Sequence, residues 1–171
     1  AAEMTAKYHL LVDFHGSYKP TGLNRTYPNV INFEGVHGLE QQKFADSSID
    51  QVTYDVTIPF IRQLAGPMDY TQGAMRNATK ENFAPVYSEP MSQGTRCRQL
   101  AQYVVFESPL NMLCDSPSNY MKEEECTKYI ATVPTVWDTT ISLAGEIGKY
   151  VAIARKSGED WYIGAMTNWD S

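Results

Sequence analysis

The sequence lacks most of the features that would place it outside the ordinary globular class. It has no apolar run near the ~18–20 residues that a membrane helix needs, no internal repeat and no low-complexity stretch. It also has no basic run, and 14 basic against 20 acidic residues give a net charge of −6, which argues against nucleic acid as a partner. Because a signal peptide and an initiator Met are both missing, we expect the chain to begin inside something larger or to have been processed.

Cysteine is scarce as well. The three cysteines, Cys97, Cys114 and Cys126, form no C-x-x-C spacing, which argues against a zinc knuckle or a redox pair. Buried or unpaired thiols are the favoured interpretation, since free cysteine is a commonly buried residue type. A single disulfide that uses two of the three is the alternative.

What the sequence does contain is an alternation of strands and helices. The chain has 171 residues, 43% of them hydrophobic, which suffices for one globular unit with a sizeable core. Apolar runs predict strands over 8–14, 66–70 and 110–114, the first of the kind that is buried on both faces. Helical spacing predicts helices over 49–65, 95–107 and 118–130, and Pro59 should kink or shorten the first of them.

The pattern changes near residue 135, where three short strands with hairpin turns begin. These strands are predicted over 139–143, 149–155 and 161–166, with turns at 144–146 and 157–160. Three strand–helix units cannot close an eight-stranded barrel, which needs ~250 residues, but long loops after strands are where such barrels place active sites. We therefore predict an α/β fold: about the last three βα units of a (β/α)8 barrel, followed by the first strands of an all-β domain.

The long loop from about residue 15 to residue 48 holds most of the chemical signal. The first two acidic residues of this loop are Glu34 and Glu40, and the next is Asp46. Gly35 and Gly38 lie between the two glutamates. Their spacing alone leaves three interpretations open. They could be surface glutamates, ligands of a divalent cation such as Ca²⁺, or a positioned carboxyl group that protonates a leaving group.

The residues themselves resemble a family, glycoside hydrolase family 97. The resemblance starts with D-F-H-G from Asp13, K-P-T-G from Lys19, R-T-Y-P-N from Arg25 and E-G-V-x-G-x-E from Glu34. It continues through G-P-M-D-Y-T from Gly66 and V-P-T-V-W-D from Val133, and it ends in D-W-Y-I-G-A-M-T-N-W from Asp160. Several uncommon blocks in one order, over essentially the whole chain, are more specific than any single motif.

The resemblance implies an architecture and a set of site residues. Residues 1–134 would be the C-terminal part of a (β/α)8 catalytic barrel, and residues 135–171 the beginning of a β-sandwich-like C-terminal domain. Glu40 matches the family's general acid, and Glu34 matches a calcium ligand, with Glu40 at or near the ion too. The implied activity is that of a calcium-dependent, exo-acting α-glycosidase.

One position bears on stereochemistry. Inverting members of the family, the α-glucosidases, carry a glutamate directly after the histidine that matches His15, whereas this chain has Gly16. Retaining members, typified by α-galactosidases, have glycine there and use an aspartate nucleophile from an earlier barrel strand. The resemblance therefore implies retention, with a nucleophile that would lie N-terminal to Ala1; Asp13 falls in the wrong block to replace it.

Four further residues are candidates for substrate binding. His15 could hydrogen-bond a sugar hydroxyl or be a structural histidine, and Lys19 could contact substrate or pin the loop to carboxylates. Asp69 follows a predicted barrel strand, so a contact to a hydroxyl is plausible there. Trp137 could stack on a pyranose face or pack at the junction between the domains.

The leading hypothesis is a retaining exo-α-glycosidase with α-galactoside as the first substrate guess. The alternatives are an α-glucosidase of the same family and a non-catalytic fragment that binds carbohydrate or calcium. An open piece of a barrel would expose strand edges and an apolar face, so we expect the chain to pair with the remainder of its parent protein or with its own copies. A periplasmic location is an expectation from the family resemblance alone.

Overall fold

The computed structural model describes residues 1–171. The α-helices are α1 (Ala2–Lys7), α2 (Leu23–Thr26), α3 (Gln51–Asp55), α4 (Ile58–Ile61), α5 (Arg96–Val105), α6 (Pro117–Lys122) and α7 (Glu124–Thr132). The strands are β1 (Val12–Phe14), β2 (Val30–Phe33), β3 (Asn77–Ala78), β4 (Ser92–Gln93), β5 (Thr139–Glu146), β6 (Tyr150–Ser157) and β7 (Asp160–Thr167). Short 3-10 helices cover Leu39–Lys43 and Gln63–Ala65. None of the helices is both long and apolar enough to cross a bilayer.

The first sheet is a parallel pair formed by β1 and β2, in which Asp13 lies opposite Asn32 and Phe14 opposite Phe33. The predicted strand over 8–14 is shorter than expected, because His9 takes a φ of +55° just after α1 and turns the chain. Residues 8–11 of that apolar run are exposed, not buried on both faces as predicted. Strand β2 was not predicted at all, since its four residues are embedded in a segment rich in turn formers.

The segment over residues 67–70 runs beside β2 without forming a strand. The Asp69 amide donates to the Phe33 carbonyl (2.9 Å), and the Met68 amide donates to the Glu107 carbonyl (2.9 Å). The strand predicted over 66–70 is therefore wrong. Residues 68–70 are buried, but the segment does not form the regular hydrogen-bonding pattern of a strand with β2. The strand predicted over 110–114 is wrong, because those residues are an exposed connection into α6.

The helix predictions are confirmed with changed boundaries. The first predicted helix is split into α3, α4 and a 3-10 turn, with Pro59 in the first turn of α4. The second is α5, which begins after Thr95, whose side chain accepts from the Arg98 amide as an N-cap. The third breaks into α6 and α7 at Glu123, whose backbone leaves the helical region.

Strands β5, β6 and β7 form an antiparallel meander, and all three were predicted. The first turn lies at residues 147–149 instead of 144–146, because β5 continues to Glu146 after a register shift near Leu143. The sheet packs onto α5 through Gly164, where a Cβ would come within 2.8 Å of Val104 and 2.9 Å of Val105.

One main core joins the helical part of the chain to this sheet. The core is formed by Leu39, Val56, Ile58, Met68, Tyr70, Ala74, Val105, Phe106, Val151, Ile153 and Met166. Its members come from the 3-10 turn before α3, from α3 and α4, from the segment beside β2 and the loop after it, from α5 and from two strands of the meander. The position of the segment that carries Asp69 is thus fixed by the same core that holds the C-terminal sheet.

Candidate active site

His15 is the centre of a cluster of carboxylates. Its Nδ1 lies 2.7 Å from Oδ2 of Asp69, and its Nε2 lies 3.0 Å from Oε1 of Glu40. Oε1 of Glu34 is 4.0 Å from the same Nε2. The structure therefore brings together four of the residues that the sequence predicted.

The fold explains why these four meet. His15 follows β1 directly, Glu34 follows β2 directly, and Asp69 lies on the segment that runs beside β2. Parallel strands deliver the residues that follow them to one edge of a sheet. Glu40 reaches the same edge from the 3-10 turn over Leu39–Lys43.

Glu34 is buried and firmly held. Its Oε2 accepts a hydrogen bond of 2.5 Å from the Gly16 amide, and its own amide donates to the Phe14 carbonyl (3.0 Å). Arg62, itself 7% exposed, donates to the Glu34 carbonyl (2.9 Å) and to the Phe33 and Gly35 carbonyls (3.1 Å each). The side-chain hydrogen bonds of this arginine all go to backbone carbonyls, so it fixes the chain on either side of Glu34 and forms no ion pair with the cluster.

Glu40 is more accessible, with 30% of its side chain exposed. It also lines a small cavity of about 90 Å³ that none of the other three cluster residues lines. The remaining walls are Leu39, Lys43, Ala74, Pro90, Met91, Cys114 and Asp115. Glu40 consequently stands between the carboxylate cluster on one side and a half-apolar cavity on the other.

The charges of the cluster favour a protonated histidine. The hydrogen bond to Asp69 raises the pKa of His15 above its ordinary value, and the negative charges of Glu34, Asp69 and Glu40 act in the same direction. Burial, and then the charge of Asp69, raise the pKa of the neighbouring Asp13 to about 6. Asp69 and Asp13 each keep one buried carboxylate oxygen without a hydrogen-bond partner.

The donor atoms of the cluster suit a hard cation. One ligand atom each from His15, Glu34 and Glu40 can be chosen so that all lie within 4.8 Å of one another. Ca²⁺ prefers carboxylate and carbonyl oxygens, so the two glutamates fit it better than the imidazole nitrogen does. The arrangement could thus bind a calcium ion, position a proton donor, or do both.

Two further predicted substrate contacts, Trp137 and Lys19, make no contact with the cluster through their side chains. Trp137 packs edge-on against Tyr162 and beneath the Arg155 guanidinium, which is 5.8 Å from the ring centre. These neighbours belong to the junction of α5 with the C-terminal sheet, so the contacts support the packing interpretation of Trp137 instead of stacking on a sugar. Lys19 is exposed and makes no ion pair within the chain, which does not support the alternative that it pins the loop to carboxylates.

Asp69 was expected to contact a sugar hydroxyl, but its side chain is buried. Its side chain is only 1% exposed, so it reaches the site through His15 and is shielded from direct contact with a ligand. Among the residues not singled out from the sequence, Arg62 and Thr71 act on the backbone of the glutamate segments. The three cysteines are all free, as the favoured interpretation predicts, but none is buried: Cys97 and Cys114 are exposed and Cys126 is half-buried.

Comparison with known proteins identifies relatives over the whole chain. A family model described as glycoside hydrolase 97 matches residues 1–36, and one described as glycosyl-hydrolase 97 C-terminal, oligomerisation, matches residues 136–171. The chain is 68% identical over all 171 residues to a retaining α-galactosidase of Bacteroides thetaiotaomicron and covers 26% of that protein. It is 35% identical over 160 residues, 94% of the chain, to a probable retaining α-galactosidase of Streptomyces bingchenggensis and covers 23% of it.

A solved structure of a family 97 enzyme is similar to almost the whole chain. A glycoside hydrolase family 97 enzyme from Pseudoalteromonas sp. strain K8, in complex with panose, superimposes with a TM-score of 0.85 at 34% identity. The match covers 98% of this chain and 26% of that one. The chain therefore spans about a quarter of the length of these relatives.

Proposed function

The chain belongs to glycoside hydrolase family 97, and on this basis we propose that its parent protein is a retaining, exo-acting α-galactosidase in which Glu40 is the general acid and base. The observation that carries the proposal is the cluster in which His15 joins Glu40 to Asp69 at the edge of the parallel strands. The identity of 68% with a retaining α-galactosidase supports the choice of galactoside. The relative bound to panose favours an α-glucoside as the second candidate substrate.

The fold of the parent protein is part of the proposal. Strand β1, strand β2 and the segment over 67–70 run side by side, as three successive strands of a (β/α)8 barrel would. We assign residues 1–134 to the barrel and residues 135–171 to the start of a β domain, which packs on the barrel through α5.

Glu40 would act twice in a retaining mechanism. In the first step its carboxyl group gives a proton to the glycosidic oxygen while the bond from that oxygen to the anomeric carbon breaks, and the bonding electrons stay with the oxygen. An aspartate outside these residues forms the bond to the anomeric carbon. In the second step the Glu40 carboxylate takes a proton from water, and the water oxygen displaces the aspartate.

Gly16 favours a retaining mechanism over an inverting one. Its φ of +63° is a conformation that favours glycine, and its amide is bonded to Glu34. A glutamate at this position, which inverting relatives use as a base, would be strained in this backbone. The absence of a carboxylate here therefore supports retention.

The other cluster residues would orient the reacting groups. His15, 43% exposed at its side chain, is placed to hydrogen-bond a sugar hydroxyl while Asp69 holds its ring. Lys19, exposed on the segment that lies against Gly35, is a second candidate for contacts to hydroxyls. The cavity on the far side of Glu40 would receive the leaving group, because the acid must face the oxygen that departs.

Glu34 and Glu40 would hold a calcium ion. A bound ion of this kind supplies positive charge that orients carboxylates and sugar hydroxyls. In this chain, Gly16 and Arg62 hold the Glu34 carboxylate and backbone in place for that purpose.

The test is chemical rescue of a Glu40→Ala variant of the full-length protein. Aryl α-galactosides with good leaving groups should still form the glycosyl-enzyme, which then accumulates because no base activates water. Added azide needs no base, so it should restore turnover and give α-galactosyl azide. Glu159→Ala, on an exposed hairpin turn, is the matched control and should behave as the wild type; a Glu40→Ala variant with wild-type turnover would refute the assignment.

A further inference from the structure

We propose that Thr71 is a positioning residue that holds Glu40 where it can deliver its proton, an inference that rests on the proposed function of Glu40. Thr71 is 7% exposed and has a backbone φ of +62°. A β-branched residue rarely adopts this left-handed conformation, and it does so only where the surrounding structure enforces it. His9, the other non-glycine residue with positive φ, lies in an exposed turn, so Thr71 is the buried case.

The side chain of Thr71 meets the backbone of Glu40. Its Oγ1 accepts a hydrogen bond from the Glu40 amide (3.3 Å) and donates to the Tyr70 carbonyl (2.6 Å). Glycine would adopt the same φ without strain, but it cannot supply an acceptor for that amide. The hydroxyl is what threonine adds at this position.

The neighbouring residues complete a clamp on the segment that carries the acid. The Leu39 amide donates to the Tyr70 carbonyl (2.9 Å). Gly38 lies so close to this carbonyl oxygen that a Cβ would come within 3.0 Å of it. Residues 38, 39 and 40 therefore each contact Tyr70 or Thr71.

Buried bonds behind the clamp hold it rigid. The Tyr70 hydroxyl donates to the buried carboxylate of Asp55 and accepts from Gln51 Nε2 (2.8 Å). The same Gln51 amide group donates to the His37 carbonyl (3.0 Å), which precedes the clamped segment. The segment over 37–40 is therefore held at residue 37 by the Gln51 side chain and at residues 39 and 40 by Tyr70 and Thr71, and Gln51 and Tyr70 are hydrogen-bonded to each other.

A shift of the Glu40 backbone should affect proton delivery selectively. An alkyl leaving group depends on general-acid assistance, whereas fluoride departs with little of it. Loss of the Thr71 hydroxyl should therefore reduce kcat/KM for methyl α-galactoside and leave kcat/KM for α-galactosyl fluoride nearly unchanged. A purely structural role would reduce both alike.

The experiment compares Thr71→Ser, Thr71→Ala and Thr71→Gly in the full-length protein on these two substrates, with thermal unfolding as a check of folding. We expect Thr71→Ser to stay within about twofold of wild type, because it keeps the hydroxyl. Thr71→Ala and Thr71→Gly should lose roughly five- to tenfold on the methyl glycoside, as expected for one lost hydrogen bond, and less than about twofold on the fluoride.

Equal losses on the two substrates, no loss, or failure of all three variants to fold would overturn the inference. Glu40→Gln in the same assay separates it from the proposed function. If Glu40→Gln also lacks the leaving-group dependence, the general-acid assignment itself fails. If Glu40→Gln has that dependence and the hydroxyl-free variants lack it, only the role of Thr71 fails.

Discussion

Gly35 directly follows Glu34, and its missing Cβ lets the chain at this point lie close to the backbone of Lys19. Its φ is +45°, and a Cβ would overlap the Lys19 backbone nitrogen and come within 2.7 Å of Lys19 Cα. Neither neighbour is the flexible end of a side chain. We expect Gly35→Ala to lower the free energy of unfolding by about 2–4 kcal/mol, through backbone strain and overpacking, in urea denaturation of the chain.

Gly158→Ala is the matched control for this prediction. Gly158 has a φ of +59°, but a Cβ added there would meet no atom within 4 Å. It should lose only the backbone contribution, about 1 kcal/mol. Equal losses in the two variants would contradict the role given to the contact between Gly35 and Lys19.

Asp69 controls the protonation of His15. Since its hydrogen bond is the largest cause of the raised pKa of His15, Asp69→Asn should lower that pKa. The stability that the protonated ring gives the wild type is present below the unfolded value of about 6.5 and is lost as pH rises through the higher folded value. NMR titration of the histidine Cε1 proton without added calcium measures this, and an unchanged His15 pKa in Asp69→Asn would contradict it.

At the residue scale the sequence identified the four members of the cluster one by one, but neither their contacts with each other nor the residues that support them. His15 and Asp69 lie at the ends of predicted strands, whereas Glu34 and Glu40 were found as acidic residues of the long loop and from the family motif. Arg62 and Thr71 act on backbone carbonyls and amides, through a buried guanidinium and a positive φ. Neither property follows from residue type or spacing, because both depend on chain segments that only the fold brings together.

At the scale of elements, Arg155 ties the C-terminal sheet to α5. It is 1% exposed and donates to the Val104 carbonyl (2.6 Å) and the Val105 carbonyl (3.1 Å) at the end of that helix. A cation at this end also interacts favourably with the helix dipole. Removal of the guanidinium would take these hydrogen bonds away from both buried carbonyls.

Arg155→Met should therefore lower the free energy of unfolding by about 1–3 kcal/mol, because the buried Val104 carbonyl loses its side-chain donor, whereas the Val105 carbonyl still accepts from Gln63 Nε2 (3.1 Å). Lys149→Met is the control, since Lys149 is exposed and pairs only with the exposed Glu146. It should change stability by less than about 0.5 kcal/mol. Chemical denaturation that gives the same loss for both variants would contradict the role given to Arg155.

Element prediction succeeded where a local signal was present. Helix α5 was predicted from its helical spacing, and the meander from short strands joined by hairpin-like turns, the first of which lies three residues later than predicted. Strand β2 was missed because four residues between turn formers carry little periodic signal, and its pairing with β1 spans the loop between them. The strand predicted over 110–114 was wrong because a short apolar run forms a strand only where another strand pairs with it.

At the scale of the whole molecule, the outer face of the C-terminal sheet is apolar and uncovered. Ile141, Leu143, Trp161 and Ile163 are each between 44% and 66% exposed. Such a face together with free strand edges favours association, so the isolated chain should sediment as a species larger than its 19.2 kDa monomer. Ile163→Lys should shift it toward monomer, whereas Met121→Lys, at a residue 80% exposed on α6, should not; a stable, compact wild-type monomer would contradict the prediction.

The central claim is that this chain carries the acid and base of a retaining α-galactosidase, and stereochemistry tests it most directly. The full-length protein would be given an aryl α-galactoside in deuterated buffer, and the first product formed would be followed by proton NMR before mutarotation. Double displacement through Glu40 and an aspartate nucleophile predicts that α-galactose appears first. If β-galactose appears first, the reaction inverts, and both the retention inferred from Gly16 and the role of Glu40 as the base of the second step are wrong.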